Sequence, residues 1–214
     1  MADKTHKKEL RRQRRQEDKE RRAREARRQN LFVWGGLGVI VLITGFFVFQ
    51  ALNPANQPGE FVRDQGNHHV SSVDEPHVPY NSTPPTSGPH MGGLAPWGIS
   101  EEPIPNEWQV HNLEDGGVII QYDCPDESCP DLKAQLTALV SELQSDTSLL
   151  SPRGEVHIIL APYSGIRAAS ASGGKPIALT AWTRIQYFEA VDVEALMRFI
   201  RAYINVDHHV AGVG

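Results

Sequence analysis

Residues 31–52 read LFVWGGLGVIVLITGFFVFQAL, and no charged side chain follows them until Glu60. A helix over these 22 residues rises about 33 Å, enough for the ~30 Å hydrocarbon core of a bilayer. A soluble helix needs a polar face, and this run offers none. A cleavable signal peptide carries a shorter apolar stretch, about 7–15 residues, and then a small-x-small site that ALNPANQPGE lacks. The expectation is an uncleaved transmembrane helix at 31–52.

Charge is divided across that run. Residues 1–30 hold 13 Lys+Arg against 6 Asp+Glu, and the rest of the chain holds 8 against 20. Between residues 53 and 102 the one basic side chain is Arg63. The positive-inside rule therefore predicts a cytoplasmic basic tail at 1–30, in reach of anionic lipid headgroups, with everything after the helix outside. Interleaved acids and absent aromatics in the tail argue against nucleic acid as its partner. Outside the cell membrane a disulfide can persist, which bears on Cys124 and Cys129.

Composition then suggests a linker at 53–76, an extracytoplasmic domain at 77–207 and a short tail at 208–214. The domain opens on HVPYNSTPPTSGPHM, residues 77–91. Its prolines lock φ and lack the donor a central strand needs. With GGLAPWGISEEPIPNEW it makes a long irregular stretch, whose Tyr80, Trp97 and Trp108 argue for packing rather than disorder. Periodicity follows: strand GVIIQY, a helix from Asp131 with Leu132, Leu136, Leu139, Val140 and Leu143 on one face, then strands EVHIILAP, PIALTAW and TRIQYF. Asp131 or Ser128 is suited to cap the first helix, and Asp192 to cap a closing helix DVEALMRFIRAYI.

The order β-α-β-β-β-α implies one parallel pair with a right-handed crossover. The fold class expected is a small α/β sandwich, mainly four-stranded, wrapped by the proline-rich segment. This order is similar to the thioredoxin-like fold, with the middle helix reduced to the loop at 164–175. The cysteine pair follows the first strand, as in those proteins, and Lys175–Pro176 stands where they carry a cis-proline.

Three groups of residues are candidates for chemistry. In YDCPDESCPDL, Cys124 and Cys129 form either a static disulfide or a redox or metal-binding pair, with Cys129 near a helix N-terminus that stabilises a thiolate. The spelling resembles the C-P-D-x-C-P of Sco-type copper chaperones, but one extra residue turns a sulfur by about 100° on a helix, so their geometry does not carry over. His90–Met91 pairs an imidazole with a thioether, a combination suited to copper. His111 stands before the first strand, at the end of the sheet opposite the cysteines, and His77 flanks the same loop. No H-x-x-x-H, H-E-x-x-H, G-x-S-x-G or phosphate-cradling loop occurs, and Glu114 and Asp115 are adjacent rather than facing.

The blocks HVPYNSTPPTSGPH, VHNLEDGGVIIQY and PIALTAW resemble a bacterial family catalogued as domain of unknown function 3105, over about residues 77–203. Its pattern, Y-N-x-x-P-P-T-S-G-x-H and then V-H-x-L-E-H-G, falls on His77, Tyr80, Pro84, Pro85, Ser87, Gly88, His90, His111, Glu114 and Gly116. Asp115 replaces the histidine of L-E-H-G, and the cysteines lie outside the pattern. The resemblance implies a short membrane anchor with an outer domain and no established activity. The functional expectation is a membrane-anchored, extracytoplasmic metal-binding protein, copper before zinc, for metal handling or respiratory-complex assembly rather than turnover. His90, Met91 and His111 are the expected ligands, then His77. Its alternatives are a non-catalytic interaction subunit of a membrane complex and a thiol–disulfide oxidoreductase using Cys124 and Cys129.

Overall fold

A computed structural model describes Lys19, Arg21, Arg27 and residues 33–50, 57–124, 129–170 and 173–209. The rest of the basic tail, residues 51–56, Ser128 and residues 210–214 lie outside the described residues. Two compact units divide at Gln57/Pro58. In the first, Val33–Gln50 form helix α1, 18 residues with mean hydropathy 2.0, long and apolar enough to cross a membrane. Its side chains, Trp34, Leu42 and Phe49 among them, are exposed.

The second unit is a mixed sheet covered on both faces. Its strands are β1 (Glu60–Phe61), β4 (Gly98–Ile99), β5 (Val118–Tyr122), β6 (Ile158–Pro162), β7 (Ile177–Ala181) and β8 (Arg184–Phe188), in the order β1-β8-β7-β5-β6-β4. β5 and β6 run parallel, joined through helix α3 (Pro130–Leu143), while β7 is antiparallel to both β5 and β8. The unbroken apolar run of β5 has a physical reason: a central strand under two covered faces is apolar on both. Val118, Ile120 and Tyr122 meet α3 and the closing helix α5 (Val193–Tyr203), whereas Ile119 packs with Val110, Leu113 and Trp182 on the other face. Asp192 caps α5 by accepting from Ala195 N at 3.1 Å. α3 starts with Pro130 in its first turn, and Cys129 is its N-cap residue.

Several expectations need correction. Six strands form the sheet rather than four, because β1 and β4 close its two edges. The stretch read as linker is built into the fold from Pro58 onward: Glu60 pairs with Ile185, and β2 (His69–Val70) pairs in parallel with β3 (His90–Met91). Two-residue strands are too short to show a period, so only long-range pairing defines them. Helix α2 (Asn106–Glu114) begins in the stretch read as irregular and runs on through residues given no element. Gln109, His111, Asn112 and Glu114 are buried there, so no apolar stripe marks it. Among the described residues the cis peptide bond is Thr83–Pro84, not Lys175–Pro176. The segment 164–175 contains a one-turn helix, α4 (Ile166–Ala169).

Polar contacts fix α2 on the sheet. Gln121 Nε2 donates to Gln109 Oε1 at 2.6 Å, and Thr180 Oγ1 donates to Gln121 Oε1 at 3.2 Å. Asn112 exchanges two 2.9 Å hydrogen bonds with the backbone of Ala95. A fully satisfied buried network of this kind defines one helix position, and with it the direction of His111 and Glu114.

Candidate metal centre

His69 and His90 are register partners in the β2–β3 pair, so their imidazoles stand side by side. His111 and Glu114, three residues apart on α2, share a helix face turned toward them. The ring centres of His69, His90 and His111 form a near-equilateral triangle of 4.9, 5.2 and 5.4 Å. One ligand atom from each of these histidines and from Glu114 lies within 4.8 Å of all the others.

The proline-rich segment holds His90 in place. Pro84, Pro85, Ser87 and Gly88 are buried, Gly88 N donates to Gly66 O at 2.9 Å, and Ser87 Oγ accepts from Gln65 N at 3.0 Å. Tyr80 donates its hydroxyl to Pro89 O at 2.5 Å. His90, fully buried, has Nδ1 at 2.8 Å from Gly88 O and Nε2 at 3.0 Å from Glu114 Oε2. A carbonyl accepts only, so Nδ1 carries a proton, and burial pushes the imidazole pKa down toward the neutral form. Nε2 of a neutral His90 then presents a lone pair to a carboxylate that also accepts.

Other features of Glu114 agree. Its side chain is 1% exposed, in the last turn of α2, where the helix dipole disfavours an anion. Oε1 accepts from Asn67 Nδ2 at 2.9 Å, and its ion-pair partners among the described residues are imidazoles. Buried His111 Nδ1 has no hydrogen-bond partner among the described residues, at 3.8 Å from Glu114 Oε2. Burial also pushes the His111 pKa down. A cation among these groups would satisfy His90 Nε2, His111 Nδ1 and the carboxylate together.

The sequence-derived ligand set is only partly gathered. His90 and His111 meet at the centre. Met91 follows His90 along a strand, where successive side chains leave on opposite faces of the pair. His77 is held elsewhere, with Nε2 at 3.3 Å from Glu107 Oε1, Nδ1 at 2.8 Å from Val78 O and its ring 5.0 Å from Tyr80. His69 lies in a stretch whose composition reads as linker, so no local signal marks it as a ligand. Glu114 had a readable signal, since His-x-x-Glu on a helix puts both side chains on one face, once α2 is recognised as a helix. The chain after α5 also returns to the centre: Asn205 N donates to Gly116 O at 2.7 Å and His208 N to Glu114 O at 2.9 Å. His208 stacks 6.0 Å from Trp182, whose ring edges against His90 at 6.2 Å.

Cys124 and Cys129 are bridged, with Cα atoms 5.8 Å apart, at the C-terminal end of β5. α2 precedes the other end of that strand, so β5 separates the bridge from the histidines by roughly 17 Å. The pair therefore contributes no ligand to the cluster. By loop-closure entropy so short a loop adds about 2 kcal/mol. Cys124→Ser/Cys129→Ser is expected to melt roughly 4–8 °C lower, with the imidazole resonances of His90 and His111 unchanged. Shifted imidazole resonances in that variant would contradict the separation.

A pH dependence follows for the metal-free protein. Folded His90 and His111 resist protonation, while the unfolded chain takes protons up as pH falls through about 6.5. The unfolded state then binds more protons, so stability is full above that value and declines below it. His209 opposes this: burial disfavours its cation, but Asp207, Glu114 and Asp115 outweigh burial and raise its pKa. Being more exposed, it contributes less. Melting temperature is expected to fall as pH drops below about 6.5, and to fall less in His90→Asn/His111→Asn. A rise toward acid pH in the parent would refute the assignment.

Fold and centre together define a mixed α/β domain with a three-histidine, one-carboxylate cluster, His69 exposed and His90, His111 and Glu114 buried, in a chain that also carries a helix apolar enough to span a membrane. The chain belongs to the family described as protein of unknown function (DUF3105), whose profile matches residues 72–211, well over half of it. No curated protein and no solved structure matches it.

Proposed function

We propose that this protein is a membrane-anchored, extracytoplasmic binder of a divalent transition metal, held by His69, His90, His111 and Glu114, and that it works in metal handling or in assembly of a respiratory complex. The triangle of imidazoles carries this reading. A metal 2.0–2.1 Å from a ring nitrogen lies about 3.2 Å from the ring centre, and tetrahedral placement then separates ring centres by about 5.2 Å. The observed sides are 4.9, 5.2 and 5.4 Å. His90 also donates its other ring nitrogen to a backbone carbonyl, as metal-bound histidines characteristically do.

Three nitrogens and one oxygen suit a divalent ion better than Cu(I), which favours the sulfur ligands that Met91 and the bridged cysteines do not supply here. Copper(II) binds such donors more tightly than zinc(II), while the tetrahedral spacing is the one zinc(II) adopts, so both ions are carried into the test. Helix α1 and the basic residues before it support anchoring, with the centre outside the cell membrane. The test is elemental analysis of full-length protein taken from native membranes, then titration of the metal-free form with Cu(II) and Zn(II). A tight equivalent, lost in His90→Asn/His111→Asn, is expected. No tight equivalent, or equal binding by the variant, would reject the proposal.

A second reading rests on the bridge. Cys129 lies at the N-terminus of α3 directly after β5, and the strand order β8-β7-β5-β6 supports a thioredoxin-like core. As a thiol–disulfide oxidoreductase the protein would have a reduction potential of about −120 to −270 mV, whereas a structural bridge lies below about −300 mV.

A further inference from the structure

We infer that the C-terminal segment supplies a second position for the same class of divalent cation, formed by His111, Asp115 and His209, through which the ion passes to the set of His69, His90, His111 and Glu114. This rests on the reading of that set as a metal site and adds a route into it. The segment is a tied strap, fixed over the end of α2 by Asn205 N to Gly116 O and His208 N to Glu114 O. It brings the His209 ring to 6.0 Å from His111. One ligand atom each from His111, Asp115 and His209 lie within 4.8 Å of one another.

Both nitrogens of His209 face carboxylates. Nδ1 is 2.8 Å from Asp207 Oδ1 and 3.4 Å from Asp115 Oδ1, and Nε2 is 3.5 Å from Glu114 Oε2. Glu114 Oε2 thus stands 3.0 Å from His90 Nε2, 3.8 Å from His111 Nδ1 and 3.5 Å from His209 Nε2. Ligand atoms around a tetrahedral ion with 2.0–2.1 Å bonds are about 3.4 Å apart, so this one oxygen is placed to serve an ion on either side. His111 belongs to both sets, and its Nδ1 has no hydrogen-bond partner among the described residues.

Cavities flank His209 on two sides. One, of about 520 Å³, is lined by Asn67, His69, Glu114 and His209. The other, of about 210 Å³, is lined by Asp115, Arg153, Asp207 and His209. The His209 side chain is 42% exposed, whereas His90 is fully buried. His69 is exposed as well, so a hydrated ion meets His209 and His69 before it meets His90. Inward transfer exchanges Asp115 and His209 for His69, His90 and Glu114 while His111 stays bound. The ion keeps its charge, and no electron moves.

Metal-free full-length protein in detergent, titrated with Cu(II), tests this by equilibrium dialysis, electron paramagnetic resonance and stopped-flow loading. The parent is expected to hold one tight equivalent and to show a transient early signal before it, because the shared His111 nitrogen holds one ion at a time. His209→Ala and, independently, Asp115→Asn are expected to retain one tight equivalent and to load it at least about tenfold more slowly. A parent that loads with no early signal, or variants that load at the parental rate, would overturn the outer position alone. Absence of any tight equivalent in the parent would overturn the site of His69, His90, His111 and Glu114 as well.

Discussion

Full-length protein carrying Glu114→Ala is expected to lose metal binding by at least about 100-fold, since changes merely behind a ligand already cost 10–100-fold. Glu114 is the sole anion in the set with His69, His90 and His111, and its two oxygens gather Asn67, His90, His111 and His209. Its removal strips the charge that offsets a divalent ion in a site His90 shares without solvent. It also leaves Asn67 Nδ2 without an acceptor, an unsatisfied donor worth about 1–3 kcal/mol. Thermal shift separates the two effects. At a metal concentration of 100 times the parental Kd, binding stabilises the parent by about 2.7 kcal/mol, and a 100-fold weaker variant by about 0.4 kcal/mol. The metal-free variant should also melt lower than the metal-free parent. Glu114→Gln keeps an oxygen to accept from Asn67, so it should recover much of the metal-free stability while binding metal poorly. An equal metal-induced shift in the parent and both variants would remove Glu114 from the site.

The extent to which the sequence was legible follows from how far apart the determinants lie. β5, α3, β6, β7, β8 and α5 are stretches of five residues or more whose apolar spacing is local, and each was readable. α2 was not, because Gln109, His111, Asn112 and Glu114 are buried for hydrogen bonding and site geometry rather than as apolar surface. The same holds for β2 and β3: nothing in NHHVSS indicates that His69 pairs with His90, since that contact depends on a parallel pairing across 21 residues. The candidate site therefore emerged in halves. His90 and His111 were visible through motif-like surroundings, whereas His69 and His209 lie in stretches whose composition suggests linker and tail. Met91 adjoins His90 in sequence, and the alternation of side chains along a strand places such neighbours on opposite faces.

Gly116→Val is expected to lower stability by about 3 kcal/mol, from a left-handed backbone of about 1–2 kcal/mol and overpacking of about 1–3 kcal/mol, and so to lower the melting temperature by roughly 6–12 °C. Gly116 has φ of +77°, and a Cβ there would lie 2.7 Å from Val206 N and 2.9 Å from the carbonyl carbons of Asn205 and Val206. Those atoms are backbone and cannot rotate aside. The clash therefore falls on the strap, whose hydrogen bond from Asn205 N to Gly116 O holds His208 and His209 over the centre. Gly154 is the control, because it has φ of +83° and nothing within 4 Å of its Cβ position. Gly154→Val keeps the backbone strain and omits the collision, so it should cost about 1–2 kcal/mol. The difference between the two melting temperatures measures strap packing alone. With the strap displaced, Gly116→Val should also slow copper loading as His209→Ala does, while Gly154→Val loads at the parental rate. Equal melting temperatures for the two valine variants would mean that the chain after α5 is not docked against α2, and the route for metal entry would lose its structural basis.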